Sequence, residues 1–177
     1  MAYVYKTMDS PVGQLKLVAN GAKLCAILWE HDKPNRVRLG SMTEEANNPV
    51  LLETERQLNE YFAGKRNRFE LELDFAGTEF QKKVWAALQT IPFGETRSYS
   101  QIAAQIGHAN AVRAVGAANG RNPISIIAPC HRVIGASGRW SSNCNWRTCW
   151  DWASIPCPRA CVGASGWRRR SCTIRRC

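Results

Sequence analysis

The chain has 177 residues, 45% of them hydrophobic, and a formal net charge of +10; that suits one compact domain or two small ones sharing a core. No stretch approaches the roughly 18 apolar residues a membrane helix requires. The opening Met1-Ala2-Tyr3-Val4-Tyr5-Lys6 lacks the basic-then-apolar layout of a secretory signal, so a cytosolic address with reduced cysteines and a polyanionic partner is the expectation, with no membrane role.

In chain order, Tyr3, Tyr5 and Thr7 alternate as in a strand, and Asp9-Ser10-Pro11-Val12-Gly13 is turn chemistry. Leu15, Leu17 and Ala19 resume the period of two. Asn20-Gly21 is a hairpin signal, and residues 24–29 read as a third strand of an antiparallel meander. Residues 31–49 are polar, contain Pro34, Asn47-Asn48 and Pro49, and read as a loop. Leu51, Leu52, Leu58 and Phe62 set an apolar stripe beside charges, predicting a helix over 50–62 that stops at Gly64. Residues 69–75 alternate as a further strand or an extended linker.

From residue 78 the local signals sharpen. Thr78 with Gln81, and Ser98 with Gln101, have the form of capping boxes. The first opens a helix with Phe80, Val84, Trp85, Leu88 and Ile91 on one face; the second opens a short helix that ends at Gly107. Asn110 is placed to cap a third helix over 111–119. Two short helices around a glycine-containing turn have the look of a helix-turn-helix. The third helix is unusual: Ala111, Val115 and Ala118 can face a core, and apart from Arg113 its other faces carry only small residues such as Gly116 and Ala117. A helix reading the major groove carries long polar side chains; by itself this one reads more simply as a tight helix–helix contact. Cys25 and Trp85 read as core, His31 and His108 as loop residues.

The chemistry gathers in Asn122-Pro123-Ile124-Ser125-Ile126-Ile127-Ala128-Pro129-Cys130-His131-Arg132. A thiol becomes nucleophilic as thiolate, and a neighbouring imidazole or guanidinium promotes that form. A lone Cys beside a His is more often a chance neighbour or a structural thiol. Two prolines and an asparagine framing the pair favour a nucleophile without naming its reaction.

Pro129-Cys130-His131-Arg132-Val133-Ile134-Gly135, together with Arg113-Ala114-Val115-Gly116-Ala117-Ala118-Asn119-Gly120, Asn122-Pro123-Ile124, Phe93-Gly94-Glu95 and Ser98-Tyr99, resembles the signature of the O6-alkylguanine-DNA alkyltransferases, also called methylated-DNA–protein-cysteine methyltransferases. The likeness is strong over 78–139 and loose over 1–77. It implies an α/β ribonuclease-H-like N-terminal domain (1–76) and a mainly α, winged-helix-like DNA-binding domain (77–139). It implies DNA repair by a single irreversible transfer of an alkyl group from O6-alkylguanine, and from O4-alkylthymine, to Cys130, with no cofactor and no metal. The partner would be double-stranded DNA carrying the lesion, and the protein a monomer. In the implied roles His131 is the water-relayed base and Asn122 ties the third helix to the reactive loop. Arg113 enters the duplex where the base has left the stack, Tyr99 contacts the flanking phosphate and the extruded base, and Ser100 adjoins it on the DNA side. Gly116 and Ala117 let the helix enter a minor groove only about 6 Å wide, and Pro129 and Arg132 complete the structural motif. Two rivals come from other classes: a lesion-binding protein without transfer, and a Cys-His hydrolase that turns over repeatedly.

After Arg139 the likeness stops. Residues 1–139 carry 17 Lys and Arg against 13 Asp and Glu; residues 140–177 carry seven Arg and only Asp151. Six of the eight Cys and five of the seven Trp fall in this last segment, which contains no Leu, Glu, Lys, Phe or Tyr. The resemblance implies an aromatic-Ala-Gly-Gly loop here, then a Leu-rich helix whose glutamate orients the histidine; neither is present. A shifted reading frame, a metal module and a basic DNA-binding tail bearing Arg168-Arg169-Arg170 are the three readings. The cysteine spacings lack the paired short form of a metal module, and a frame shift best accounts for an abrupt change without periodicity. Residues 140–177 are expected to be poorly ordered, and the chain less stable and less active than relatives with the full segment.

Overall fold

A computed structural model describes residues 3–32 and 36–135; the expectations for residues 140–177 lie outside them. β1 (Tyr3–Met8), β2 (Leu15–Asn20) and β3 (Lys23–Trp29) form the predicted antiparallel meander. The register of β1 on β2 pairs Tyr5 with Val18 and Thr7 with Lys16. Leu15, Leu17, Leu24 and Ile27 are fully buried, so the period-two pattern marks the covered face of the sheet.

The polar stretch 31–49 contains one element that alternation could not reveal. β4 (Met42–Glu44) lies parallel to β1 and completes the order β3-β2-β1-β4. Three residues at a sheet edge carry too little pattern to announce themselves. α1 (Pro49–Phe62) then crosses the sheet; Asn48 caps it by accepting the Val50 amide, and Leu51 and Leu58 are fully buried beneath it. Lys6 of β1 pairs with Glu55 of α1 at 3.3 Å. Residues 69–75 run extended without becoming a full strand. A single bridge joins Leu24 and Leu73, and the Gln57 side chain holds Glu70 through both its amide and its carbonyl.

α2 (Glu79–Gln89) and α3 (Tyr99–Gln105) both open with complete capping boxes, at Thr78/Gln81 and Ser98/Gln101. α4 spans Val112–Asn119 and its N-cap is Ala111, with no side-chain cap bond. Asn110 therefore does not cap it, contrary to the sequence expectation; the chain turns one residue later, with the Ala111 amide bonded to the His108 carbonyl at 2.8 Å. Gly107, at φ +78°, makes the turn out of α3 that an L side chain would resist. The helices pack around Trp85, whose indole N–H donates to the Ala118 carbonyl at 2.9 Å. A short parallel pair, β5 (Arg97–Ser98) with β6 (Val133–Ile134), joins the start of α3 to the chain beyond Cys130. Among the described residues no helix is long and apolar enough to cross a membrane.

Two apolar cores result. The first joins the sheet, α1 and residues 69–75; the second joins α2, α3 and α4. They are not built from separate halves of the chain. Ile124, Ile126 and Ile127 belong to the first core, whereas Ala128, Cys130 and Val133 belong to the second.

Candidate active site: a buried thiol at the seam of two cores

The segment that carries the thiol is held at its beginning by the sheet. The Ile27 amide donates to the Pro123 carbonyl at 2.9 Å, and Ile27 bridges Ile124 in parallel. Arg36 clamps the same place. Its guanidinium takes both carboxylate oxygens of Asp32 at 2.5 Å each, and donates to the Ile27 carbonyl at 2.8 Å, the Asn122 carbonyl and the Ser125 hydroxyl. A planar fork of five donors is suited to binding so many oxygens at once. Nothing in the polar stretch around Arg36 distinguished it in the sequence, because all its partners except Asp32 are brought to it by folding.

Within the loop, Asn122 closes the backbone on itself. Its Nδ2 donates to the Ala128 carbonyl at 2.7 Å and its Oδ1 accepts the Ile124 amide at 3.1 Å. Ile126 sits at φ +75°, a left-handed conformation that is costly for a β-branched side chain, and it is buried. Such a residue costs of order 1–3 kcal/mol and persists where its surroundings over-determine it. Here the Asn122 bonds and the first core do so.

Pro129 then opens a single 3₁₀ turn, Cys130–Arg132. The Cys130 amide donates to the Ala128 carbonyl at 2.8 Å, and the Cys130 carbonyl accepts the Val133 amide. Cys130 and His131 are both buried, at 9% and 7% exposure. Burial first, and the adjacent Arg132 charge second, push the His131 imidazole down to a pKa of about 3. The ring is therefore neutral at physiological pH. Cys25 is the contrasting thiol: burial in β3 raises it to about 11, which keeps it protonated and inert.

A residue that sequence reasoning passed over makes the link from helix to thiol. Asn119, the last residue of α4, is buried, and its Nδ2 donates to the Cys130 carbonyl at 3.3 Å and to the Tyr99 hydroxyl at 3.4 Å. Asn119 lies within the Arg113-Ala114-Val115-Gly116-Ala117-Ala118-Asn119-Gly120 motif, but only tertiary proximity singles it out from Asn122. Tyr99, at the start of α3, is buried with its hydroxyl at this junction, and its ring lies against Gly116.

The remaining expected residues stay outside the junction. Arg113, Ala114 and Ala117 are exposed along α4, and Ser100 is exposed beside the start of α3, its hydroxyl 2.8 Å from that of Ser98. The structure thus brings Cys130, His131, Tyr99, Asn119 and Asn122 into one buried assembly. It leaves Arg113, Ala117 and Ser100 on the outer surface of α3 and α4. Cys130 is thus tied, through Asn119, to the end of a helix whose exposed face is small and carries Arg113. Among the described residues no group of three His, Cys, Asp or Glu side chains could hold a metal ion.

Two family models match the chain. The ribonuclease-like domain of 6-O-methylguanine DNA methyltransferase matches residues 3–75, and the DNA binding domain of 6-O-methylguanine DNA methyltransferase matches residues 79–151. The methylated-DNA–protein-cysteine methyltransferase of Mycobacterium leprae is 52% identical over 134 residues, covering 76% of this chain and 79% of that protein. The constitutive methylated-DNA–protein-cysteine methyltransferase of Bacillus subtilis is 46% identical over 132 residues, covering 74% and 80%. Among solved structures, Mycobacterium tuberculosis OGT in complex with DNA superposes with a TM-score of 0.74 at 44% identity, covering 86% of this chain and 91% of that one.

Proposed function

Because the chain belongs to the 6-O-methylguanine DNA methyltransferase family, we propose that it repairs DNA by moving the alkyl group of O6-alkylguanine onto its own Cys130. The observation that carries this reading is the Asn119 bridge. One side-chain amide joins the helix that faces outward to the carbonyl of the buried thiol residue and to Tyr99.

The reaction needs a displacement at saturated carbon. The Cys130 sulfur forms a bond to the alkyl carbon as the bond from that carbon to guanine O6 breaks. The thiol proton passes to the neutral His131 through a water and onward to the departing guanine. The thioether has no easy return to a thiol, so each molecule acts once. A nucleophile buried to this degree reaches a base only when the base leaves the stack. Arg113 on the exposed face of α4 fills the gap it leaves. Gly116, Ala117 and Ala114 let that face lie close to the minor groove, and Tyr99 and Ser100 contact the extruded nucleotide and its backbone. Asn122 holds the reactive loop closed, and Pro129 and Arg132 shape the turn. The protein works as a cytoplasmic monomer on double-stranded DNA. Having no Glu or Leu after residue 139, it transfers more slowly than its relatives.

Incubation with a duplex carrying one O6-methylguanine, followed by mass analysis of the Cys130 peptide, tests the reading. One methyl per Cys130, none on Cys25, and no second turnover is the expected result. Lesion binding that survives Cys130→Ala, with an unmodified thiol in the parent chain, establishes instead a binding protein without transfer.

A further inference from the structure

The 3₁₀ turn that carries Cys130 is one turn long, too short to fix its own orientation. The segment leading into it is moored to the sheet at Asn122 and Pro123, through Arg36 and the Ile27 amide. The turn itself is moored elsewhere. Arg132, two residues past the thiol, donates Nη1 to the Ile91 carbonyl at 3.1 Å and Nη2 to the Tyr61 hydroxyl at 3.3 Å. The same guanidinium lies 5.2 Å from the centre of the Phe93 ring, which meets the Tyr61 ring edge-on at 6.1 Å. Tyr61 is in the last turn of α1, is 5% exposed, and packs on Phe62 and Phe69. It is therefore a rigid part of the first core reaching across to the second. Both of these acceptors are neutral oxygens.

We propose that Tyr61 is a positioning residue for the transfer reaction. Its hydroxyl holds Arg132, and through it the reactive turn, in the one orientation that presents the Cys130 sulfur to an everted base and keeps it from smaller electrophiles. The role in transfer rests on Cys130 being the alkyl acceptor; the mooring itself does not, and can be tested without DNA.

The test compares the intact chain with Tyr61→Phe, Arg132→Lys and the double variant. Tyr61→Phe keeps the ring packing and removes only the oxygen, and a substitution this small leaves the fold in place. Each protein is treated with iodoacetamide, and the Cys130 and Cys25 peptides are followed by mass. In this reaction sulfur bonds to carbon, iodide leaves and the thiol proton goes to solvent. Cys25, buried in β3, reports any general loosening. Loss of one hydrogen bond should let Cys130 label about five-fold faster, with Cys25 unchanged and with no further gain in the double variant. An unchanged Cys130 rate, a parallel rise at Cys25, or additive effects would overturn the mooring. On alkylated duplex, Tyr61→Phe should transfer about five-fold more slowly at saturating DNA with the same half-saturation. If labelling changes as stated while the parent chain never acquires the alkyl group, the mooring stands and the proposed function fails.

Discussion

Asn119 spends one amide group on two acceptors that belong to different elements, Tyr99 of α3 and Cys130 of the reactive turn. Asn119→Ala deletes both bonds inside a buried junction, where each polar group left behind costs about 1–3 kcal/mol. Urea denaturation should show a loss of roughly that size, and transfer to Cys130 should fall further than stability alone explains. Asn119→Asp should not restore it, since a carboxylate cannot donate to the Cys130 carbonyl. His131 sets a pH limit. Its pKa falls from 6.5 in the unfolded chain to about 3 in the folded one, so between those values the unfolded state binds the extra proton. Stability is complete above pH 6.5 and declines below it. By pH 5 this one group should have cost roughly 2 kcal/mol. The difference in denaturation midpoint between pH 7.5 and 5 should shrink in His131→Gln; an equal drop in both proteins would refute the assignment.

At the scale of elements, α4 joins two demands in eight residues. Val115 and Ala118 are buried against α2 and α3, whereas Arg113, Ala114 and Ala117 are exposed. A methyl group at Gly116 would meet the Tyr99 ring at an ordinary 3.9 Å, so space inside the protein does not require glycine there. Gly116→Ala should therefore stabilise the chain by about 0.5–1 kcal/mol through helix propensity. If α4 presses against a DNA groove, the same change should weaken duplex binding, measured by fluorescence anisotropy. Stabilisation with unaltered binding would remove α4's backbone from the interface. These helices were legible in the sequence because Thr78 with Gln81, and Ser98 with Gln101, are local devices whose partners lie three residues apart. The reactive turn was legible through its motif. β4, Asn119, Arg36 and Tyr61 were not, since each gets its role from a partner far along the chain that only the fold supplies. Asn110 misled for the converse reason: a residue suited to capping does not cap once the backbone turns at Ala111.

For the molecule as a whole, the decisive feature is that the two cores are interlocked. Ile124, Ile126 and Ile127 come from late in the chain, yet they complete the core built by the sheet and α1. A fragment of residues 1–76 lacks all three, together with the partner of the Ile27 amide. It should show no cooperative thermal transition by circular dichroism, while the full chain unfolds in one step; a sharp transition in the fragment would show the first core to be self-sufficient. The interlock also bears on how the protein is made. A ribosome releases the sheet and α1 long before it releases Ile124, so the early half leaves the exit tunnel with its interior still open. Chaperone demand should accordingly end not when the first half is synthesised, but when the segment bearing the nucleophile arrives to seal it.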